Sequence, residues 1–302
     1  MYRPKSQDNA TAALMIAAAT GFIAATTLIA KTLGSDTMGP ALHPLQISHG
    51  RFLFAFAGLC SAALILRPRI NAPHWALHLA RTSCGWAGVT LMFASVAYIP
   101  LADATAITFL NPVFAMILAI PLLGEKVGRV RWSAAALAFA GALVLLRPTP
   151  ASFQPAALLA LAAAALMGLE LIFIKKLAGQ ENPFQILLFN NGLGLIIASL
   201  AMLPVWQPPT AAQWILLIAI GLCMATAQTF FVNAMARAEA SFVAPFSYAT
   251  LLFAALYDVL FFAVIPDSVT YLGAGTIISG AVLLALREAR LKPGVTAPKI
   301  TQ

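Results

Sequence analysis

The chain has 302 residues, of which 61% are apolar and only 9% are charged, and its formal net charge at pH 7 is +8. Soluble globular domains are roughly 45–50% apolar and about 25% charged, so the composition excludes that class and indicates an integral membrane protein. The basic residues form short clusters between apolar runs, which is typical of membrane-protein loops and not of a nucleic-acid-binding surface. No phosphate loop or His/Cys cluster interrupts the runs, so we expect no nucleic-acid partner, cofactor or metal site.

Apolar runs of about 20 residues, each long enough to cross the hydrocarbon core as a helix, follow one another along the chain. The first run begins after two basic residues, as in a signal peptide, but it exceeds the usual 7–15 apolar residues, which favours a retained helix. The sequence predicts an all-α polytopic membrane protein with ten transmembrane helices, at 11–32, 45–66, 82–99, 104–123, 132–147, 156–175, 184–205, 211–236, 241–265 and 268–286.

Lysine and arginine are distributed unevenly between the two sets of loops. With the amino terminus in the cytoplasm, fourteen of them lie on the cytoplasmic side, whereas only Lys31 and Arg147 lie outside. Basic loops stay in the cytoplasm. The pattern therefore predicts a multi-pass protein of a bacterial inner membrane with both termini, including the tail 287–302, in the cytoplasm.

The two halves of the chain are weakly similar at a constant offset of 139 positions. His43–Ile47 aligns with Asn182–Ile186, Trp75 with Trp214, and Gly141-Ala142 with Gly280-Ala281, among others. Because each half holds an odd number of spans, the halves would have opposite orientations, as in many secondary transporters. We predict two inverted five-helix repeats, at 11–147 and 156–286. The alternative is that any two Ala/Leu-rich membrane segments look alike.

Several stretches resemble a known family. Leu101–Pro112, continued by Leu122–Lys126 and Gly141, is similar to the fourth and fifth helices of the EamA domain of the drug/metabolite transporter superfamily. Ala240–Tyr248 and the glycines that follow are similar to the matching part of that domain's second copy. One departure is that Gly124-Glu125 has no counterpart in the second half, so a gate shaped by this glutamate would be built differently there.

The resemblance implies a ten-helix carrier that works without ATP and moves amino acids, vitamins, nucleotide-like metabolites or related compounds. The pattern around Ala236–Tyr248 most resembles bacterial members that handle riboflavin or S-adenosylmethionine. An exporter of amino acids, or of a related metabolite such as a metallophore, is the alternative.

Ionisable residues inside a span are costly and are functional candidates by default. Arg51, about seven residues into the second span, could hold a carboxylate or phosphate bidentately, or it could snorkel or pair with a neighbouring helix. Glu170 and Asp258 are candidates for proton coupling. The alternatives are that Glu170 pairs locally with Lys175 and that Asp258 pairs with Arg51. Structural or topological roles at span ends are predicted for Asp103, Glu125, Arg81 and Glu239.

Uncharged polar residues within the spans complete the predicted substrate site. Asn111, Asn190, Gln228 and Tyr248 lie inside four different spans, and Arg51 and Asn190 are equivalent at the 139-residue offset. An inverted repeat would place this last pair symmetrically about the midplane, where substrate sites lie. The competing interpretation is that such residues only form hydrogen bonds between helices.

The sequence therefore predicts a secondary transporter of a small polar organic metabolite that works by alternating access. A membrane enzyme is less favoured, because acid–base chemistry needs clustered titratable groups. The four histidines are split between the two faces, without carboxylates nearby in sequence. A channel or structural subunit is the third alternative, but nothing resembles a selectivity filter.

Overall fold

The computed structural model describes residues 8–290 apart from 69, 97, 99–100, 148–154, 156 and 263–266. Within these residues the chain is helical and contains no β-strand. The helices are α1 (Asn9–Leu33), α2 (Pro44–Leu66), α3 (Trp75–Val96), α4 (Leu101–Thr108), α5 (Asn111–Leu123), α6 (Arg129–Leu146), α7 (Ala157–Gln180), α8 (Pro183–Met202), α9 (Ala211–Met235), α10 (Ala240–Val243), α11 (Ala249–Phe262) and α12 (Ser268–Arg290).

Eight helical stretches in the described part of the chain are long and apolar enough to cross a membrane. They are Asn9–Leu33, Pro44–Leu66, Ala104–Leu123, Ala157–Gln180, Pro183–Val205, Ala211–Met235, Ala240–Phe261 and Ser268–Arg287. The predicted all-α membrane class is confirmed. The two further spans of the prediction correspond to α3 and α6, which are 22 and 18 residues long, and the number ten stays a prediction.

Two predicted spans are interrupted in their first half. Residues 104–123 divide into α4 and α5, and a 3-10 turn, Ala244–Tyr248, separates α10 from α11. The first break has a local cause: Pro112 has no N–H, so the carbonyl of Thr108 lacks its helical donor. The side chain of Asn111 supplies one instead, with Nδ2 donating to Thr108 O at 3.1 Å.

The helices α2 and α8 begin in the same way. Each has a proline at its first position, where the missing N–H costs nothing. The preceding side chains cap them: His43 Nδ1 accepts from the N–H of Leu45 at 3.2 Å, and Asn182 Oδ1 accepts from the N–H of Phe184 at 3.0 Å. The sequence similarity between His43–Ile47 and Asn182–Ile186 is thus a shared helix start.

The matched glutamines in these segments each bind a connection in the other half. Gln46 exchanges two hydrogen bonds with the backbone of Gln207, between α8 and α9, at 2.6 and 3.2 Å. Gln185 Oε1 accepts from the N–H of Asn71, between α2 and α3, at 2.8 Å. Each glutamine therefore joins the two halves at one end of the molecule.

Helix packing follows matched pairs. At the 139-residue offset, α1 corresponds to α7, α3 to α9 and α5 to α11. The contact between α1 and α9 is matched by that between α7 and α3, and the contact between α1 and α11 by that between α7 and α5. Of the remaining large contacts, those between α6 and α12 and between α2 and α8 join counterparts of the two halves. The contact between α2 and α9 has a much smaller equivalent between α8 and α3.

Equivalent glycines permit the close approach of α6 and α12. A Cβ at Gly141 would lie 2.7 Å from the carbonyl oxygen of Gly273, and a Cβ at Gly280 would lie 2.8 Å from that of Ala134. Small residues of this kind let membrane helices approach closely.

Gly280→Val is expected to destabilise the protein by about 1–3 kcal/mol, as overpacking usually does, because the clash is with backbone that cannot move aside. Thermal unfolding in detergent measures the effect. Gly275→Ala in the same helix is the matched control, since a Cβ at Gly275 has no neighbour within 4 Å. Equal unfolding temperatures for the two variants would contradict the packing argument.

Candidate functional site

Six polar residues lie inside five of the helices and are linked by charge, by hydrogen bonds or through a neighbouring residue, and we name them the central cluster. Its members are Arg51 of α2, Arg81 and Thr82 of α3, Glu170 of α7, Asn190 of α8 and Gln228 of α9. Three of the residues predicted to bind substrate belong to this cluster: Arg51, Asn190 and Gln228. Glu170, a candidate for proton coupling, also belongs to it.

Glu170 is the acidic member of the central cluster. Its carboxylate lies directly over Gly85, where an added Cβ would be 2.8 Å from Oε2. Oε1 is 3.9 Å from Arg81 Nε, and the Glu170 side chain is 25% exposed. Arg51 also interacts electrostatically with this carboxylate. The alternative of a local pair with Lys175 is wrong, because the Lys175 ammonium donates instead to the carbonyls of Met235 and Ala238.

Arg81 lies inside α3 and not at a span end. Helix α3 begins at Trp75, so the prediction that placed Arg81 at the end of a span starting at residue 82 is wrong. Arg81 is 2% exposed. Its Nη1 donates to Ile186 O at 3.4 Å, while its buried Nε has no hydrogen-bond partner among the described residues. A buried guanidinium needs a counter-charge, and Glu170 provides it.

Arg51 is partly exposed and lies seven residues past Pro44, the first residue of α2. Its guanidinium carbon is 4.1 Å from the centroid of the Phe52 ring. Stacking on an aromatic face orients a guanidinium and leaves its N–H edge free for a ligand.

The amide residues form a second part of the cluster. Thr82 Oγ1 donates to Asn190 Oδ1 at 3.3 Å, and the neighbouring Asn191 donates to Gln228 Oε1 at 2.8 Å. Asn190 is 6% exposed, whereas Gln228 is partly exposed. Oδ1 of Asn191 is buried and has no hydrogen-bond partner within the described residues.

The structure places Asn111 and Tyr248 at the helix breaks and not in the central cluster. Asn111 is engaged by the carbonyl of Thr108, as described above. Tyr248 is fully buried; its hydroxyl donates to Phe109 O at 2.8 Å and its ring stacks on Phe109 with centroids 5.8 Å apart. Asp258 lies in α11, but its side chain is outside the described residues.

A second polar group lies at the end predicted to face the cytoplasm, and we name it the Glu125 cluster (Glu125, Arg131, Glu239 and Ser241). Glu125 accepts hydrogen bonds from the N–H of Ala240 at 2.8 Å, the N–H of Ser241 at 3.0 Å and the Ser241 hydroxyl at 2.5 Å. Arg131 donates to Glu239 and to Ser241 Oγ. The cluster ties the connection between α5 and α6 to the start of α10.

A third group at the same end was not anticipated from the sequence. Glu181 is 1% exposed. It accepts from the N–H of His74 at 2.7 Å and from Gln185 at 2.7 Å, and it bonds His74 Nδ1 at 2.9 Å and His78 Nε2 at 2.8 Å. These histidines have no carboxylate nearby in the sequence, but the fold brings Glu181 of the other half into contact with them. The available signal was the spacing of two histidines four residues apart, with His74 directly before α3 and His78 in its first turn.

The Glu181 contacts make stability depend on pH. Burial raises the pKa of Glu181, but the hydrogen bonds from His74 and His78 together outweigh it and hold the pKa below its usual value. A carboxyl with a lowered pKa stabilises the fold above its unfolded pKa, near 4.5, and this contribution is lost as the pH falls through the folded pKa.

Thermal unfolding in detergent is therefore expected to show that Glu181→Gln is less stable than the unchanged protein at pH 6.5. The difference should shrink as the pH falls below 4.5, because the stabilisation that the unchanged carboxyl provides is lost as it becomes protonated. A difference that stays constant across this range would contradict the assignment.

Among the described residues, no group of three or more His, Cys, Asp or Glu side chains could hold a metal ion. Paired charges and polar amide groups within membrane helices are typical of membrane transport proteins. The fold and the central cluster together define this class.

The chain belongs to the EamA-like transporter family, whose sequence profile matches residues 10–147 and, again, 154–286. It is a small-metabolite transporter, as are its relatives. It is 35% identical to a riboflavin transporter of Rhizobium johnstonii over 70% of this chain and 71% of the relative. It is 25% identical to an S-adenosylmethionine uptake transporter of Rickettsia prowazekii over 85% and 87%, respectively.

A crystal structure of a protein with 18% sequence identity has the same fold, with a TM-score of 0.78, over 95% of this chain and 100% of the other. Identity at this level shows the fold alone.

Proposed function

We propose that this transporter carries riboflavin, or a similarly sized polar metabolite, across a bacterial inner membrane by alternating access at the central cluster. The observation that carries the proposal is the partly exposed carboxylate of Glu170 in one half, which lies 3.9 Å from Arg81 of the other half and also attracts Arg51. The riboflavin transporter of R. johnstonii, at 35% identity, makes riboflavin the first substrate to test.

Alternating access requires two halves that can rock, and three features support two inverted five-helix repeats. The contacts of α1 with α9 and α11 are matched by those of α7 with α3 and α5. Equivalent glycines pack the same interface from both sides. Arg51 and Asn190 each lie seven residues past the proline that begins their helix. With the two helices entering from opposite faces, as the loop charges predict, this pair lies symmetrically about the midplane.

The ends of the molecule suggest how access is controlled. The Glu125 cluster joins the two halves on the predicted cytoplasmic side through a buried carboxylate and three donors. Such a contact must break before the inner side opens, so we assign it as the inner gate. Tyr248 and Asn111, at the helix breaks, position the halves and are not assigned to substrate binding in this conformation.

S-adenosylmethionine is the second candidate, favoured by the R. prowazekii relative and by Glu170. An exposed carboxylate in a low-dielectric site suits the sulfonium and ammonium groups of that compound. The direction of transport depends on the gradients, so import and export both remain open to test. Proton coupling through Glu170 or Asp258 stays a prediction. The family and relatives are transporters, which favours a carrier over a membrane enzyme.

Untargeted mass spectrometry of cells and medium, with and without the gene, tests the substrate. Riboflavin that falls inside the cells and rises in the medium on deletion supports import, and the reverse pattern supports export. The same change in S-adenosylmethionine would move the assignment to the second candidate. If no metabolite partitions differently under several growth conditions, the proposed function is wrong.

A further inference from the structure

We propose, resting on the alternating access proposed above, that Lys175 is a gating residue that holds the inner end of the transporter closed. Its ammonium donates to the carbonyls of Met235 and Ala238. Met235 is the last residue of α9, and Ala238 lies in the connection to α10. Lys175 lies near the end of α7, on the side that the loop charges predict to face the cytoplasm.

The backbone that Lys175 binds continues into the backbone that Glu125 binds, and we name residues 235–241 the gate segment. Glu125 accepts from the N–H groups of Ala240 at 2.8 Å and of Ser241 at 3.0 Å. Carbonyls at the end of a helix lack donors within the helix and carry partial negative charge, which favours a cation beside them. A cation therefore binds acceptors of the gate segment, and an anion binds its donors.

Lys175 and Glu125 belong to one group of packed helices, and the gate segment belongs to another. Helix α7, which carries Lys175, packs against α3 and α5, and Glu125 follows α5. Helix α9 packs against α1 and α2 and contacts α7 far less. The hydrogen bonds of Lys175 therefore join two groups of helices, each with helices from both halves. These bonds must break when the two groups separate at the inner end.

The environment of Lys175 suits a contact that breaks and forms again. Its side chain is partly exposed, so water can hydrate both the ammonium and the carbonyls once they part. The Glu125 side chain, in contrast, belongs to a buried residue. An ammonium on a flexible four-carbon stem has three donors that can be turned towards different acceptors. The lysine can thus release the gate segment and bind it again in each cycle.

The outer end has no equivalent of these ionic contacts in the sequence. At the 139-residue offset, Asp36 stands at the position of Lys175, and Val264 at that of Glu125. Oδ1 of Asp36 accepts from the N–H of Ala41 at 3.0 Å, within its own connection. Because the lysine contact belongs to the inner end alone, its loss should favour the conformation that is open to the inner side.

Labelling of an introduced cysteine tests the inference without a substrate. The three native cysteines are replaced by alanine, and a cysteine is introduced at Ala240, which is buried in the gate segment. In Lys175→Met, an uncharged, water-soluble maleimide should label this cysteine about ten-fold faster. The loss of one hydrogen bond to a charged group shifts the equilibrium between closed and open forms by about that factor.

Two further variants make the labelling specific. Lys175→Arg keeps a cation that can donate to the same carbonyls, so it should label at the rate found with Lys175 in place. Lys176→Met removes the neighbouring lysine, which is also partly exposed, and is the matched control that should leave the rate unchanged.

Transport kinetics distinguish a gate from a structural support. A carrier that opens inwards more often exposes its site to the inner side for more of the time, so the KM measured from that side falls. Uptake of labelled riboflavin into inverted membrane vesicles should therefore show a KM about ten-fold lower in Lys175→Met. A support whose loss only unfolds part of the protein would lower Vmax and leave KM unchanged.

The outcomes separate the gate from the proposed substrate. Equal labelling rates with Lys175→Met and with Lys175 in place overturn the inference. Faster labelling with an unchanged KM and a lower Vmax also overturns it, because Lys175 would then be a structural support. If the unchanged protein transports no riboflavin, the proposed substrate is wrong. The labelling rates, compared well below the thermal midpoint of each variant, then decide alone whether Lys175 is a gating residue.

Discussion

Replacing Arg51 with alanine is expected to lower the initial rate of uptake at low substrate concentration by about 10- to 100-fold. Hydrogen bonds to a charged group contribute about 1.5–3 kcal/mol, and each 1.4 kcal/mol is about a factor of ten in affinity. Among the described residues, Arg51 stacks on Phe52 and is attracted to Glu170, and it makes no hydrogen bond that holds the fold together. Its loss should therefore affect transport more than folding.

Two further variants make the Arg51 experiment specific. Arg129→Ala removes an exposed arginine from the first turn of α6 and should transport normally. Arg51→Lys keeps the charge but loses the planar fork of donors, so we expect an intermediate rate. If Arg51→Ala combined with Asn190→Ala transports as the unchanged protein does, the central cluster is not the substrate site.

Replacing Glu125 with alanine is expected to cause the largest loss of stability among single substitutions in the polar clusters. The change leaves two backbone N–H groups and the Ser241 hydroxyl without their acceptor in a buried place. Each unsatisfied buried donor costs about 1–3 kcal/mol. We expect a lower thermal midpoint in detergent, together with greater labelling, by a water-soluble thiol reagent, of a cysteine introduced at the buried Ala240, whose contact with Glu125 is made by its backbone N–H.

The neighbouring Lys126 is the control for the Glu125 experiment. Its side chain is exposed, so Lys126→Ala should change neither the thermal midpoint nor the labelling. Glu125→Gln retains one acceptor and should lie between the two. An unchanged midpoint in Glu125→Ala would show that the carboxylate does not hold the inner end closed.

Long apolar runs bounded by turn residues were predicted well because hydrophobicity and helix capping are local properties. The prediction of 45–66 corresponds to Pro44–Leu66, and that of 211–236 to Ala211–Met235. The prediction of 82–99 missed two turns at the start of α3, which begins at Trp75. Arg81 was treated as a span boundary because a lone charge in the membrane is costly. Its compensating charge, the Glu170 carboxylate, is far away in the sequence.

Contacts between residues that are far apart in the sequence also limited the prediction of the site. Arg51, Glu170, Asn190 and Gln228 could be selected by type, since polar groups in a span are rare. Their partners could not, because Thr82, Asn191 and Arg81 come from other helices.

Two contacts could not be predicted from neighbouring residues in the sequence. Lys175 is five residues from Glu170, but its ammonium is occupied by backbone carbonyls after α9. Glu181 lies in the short connection between α7 and α8, and no sequence pattern around it predicts a role. Its role follows only from the packing of α3 beside α7, which brings two histidines to it.

The central claim is that this protein is a carrier with one site that is exposed alternately to each side of the membrane. Counterflow in proteoliposomes tests this claim most directly. Vesicles loaded with unlabelled riboflavin and diluted into a trace of labelled riboflavin should take up label transiently above equilibrium, and Arg51→Ala should abolish this overshoot. Saturable binding that sustains no overshoot, or a flux that rises linearly with concentration and ignores the loaded substrate, would contradict alternating access at the central cluster.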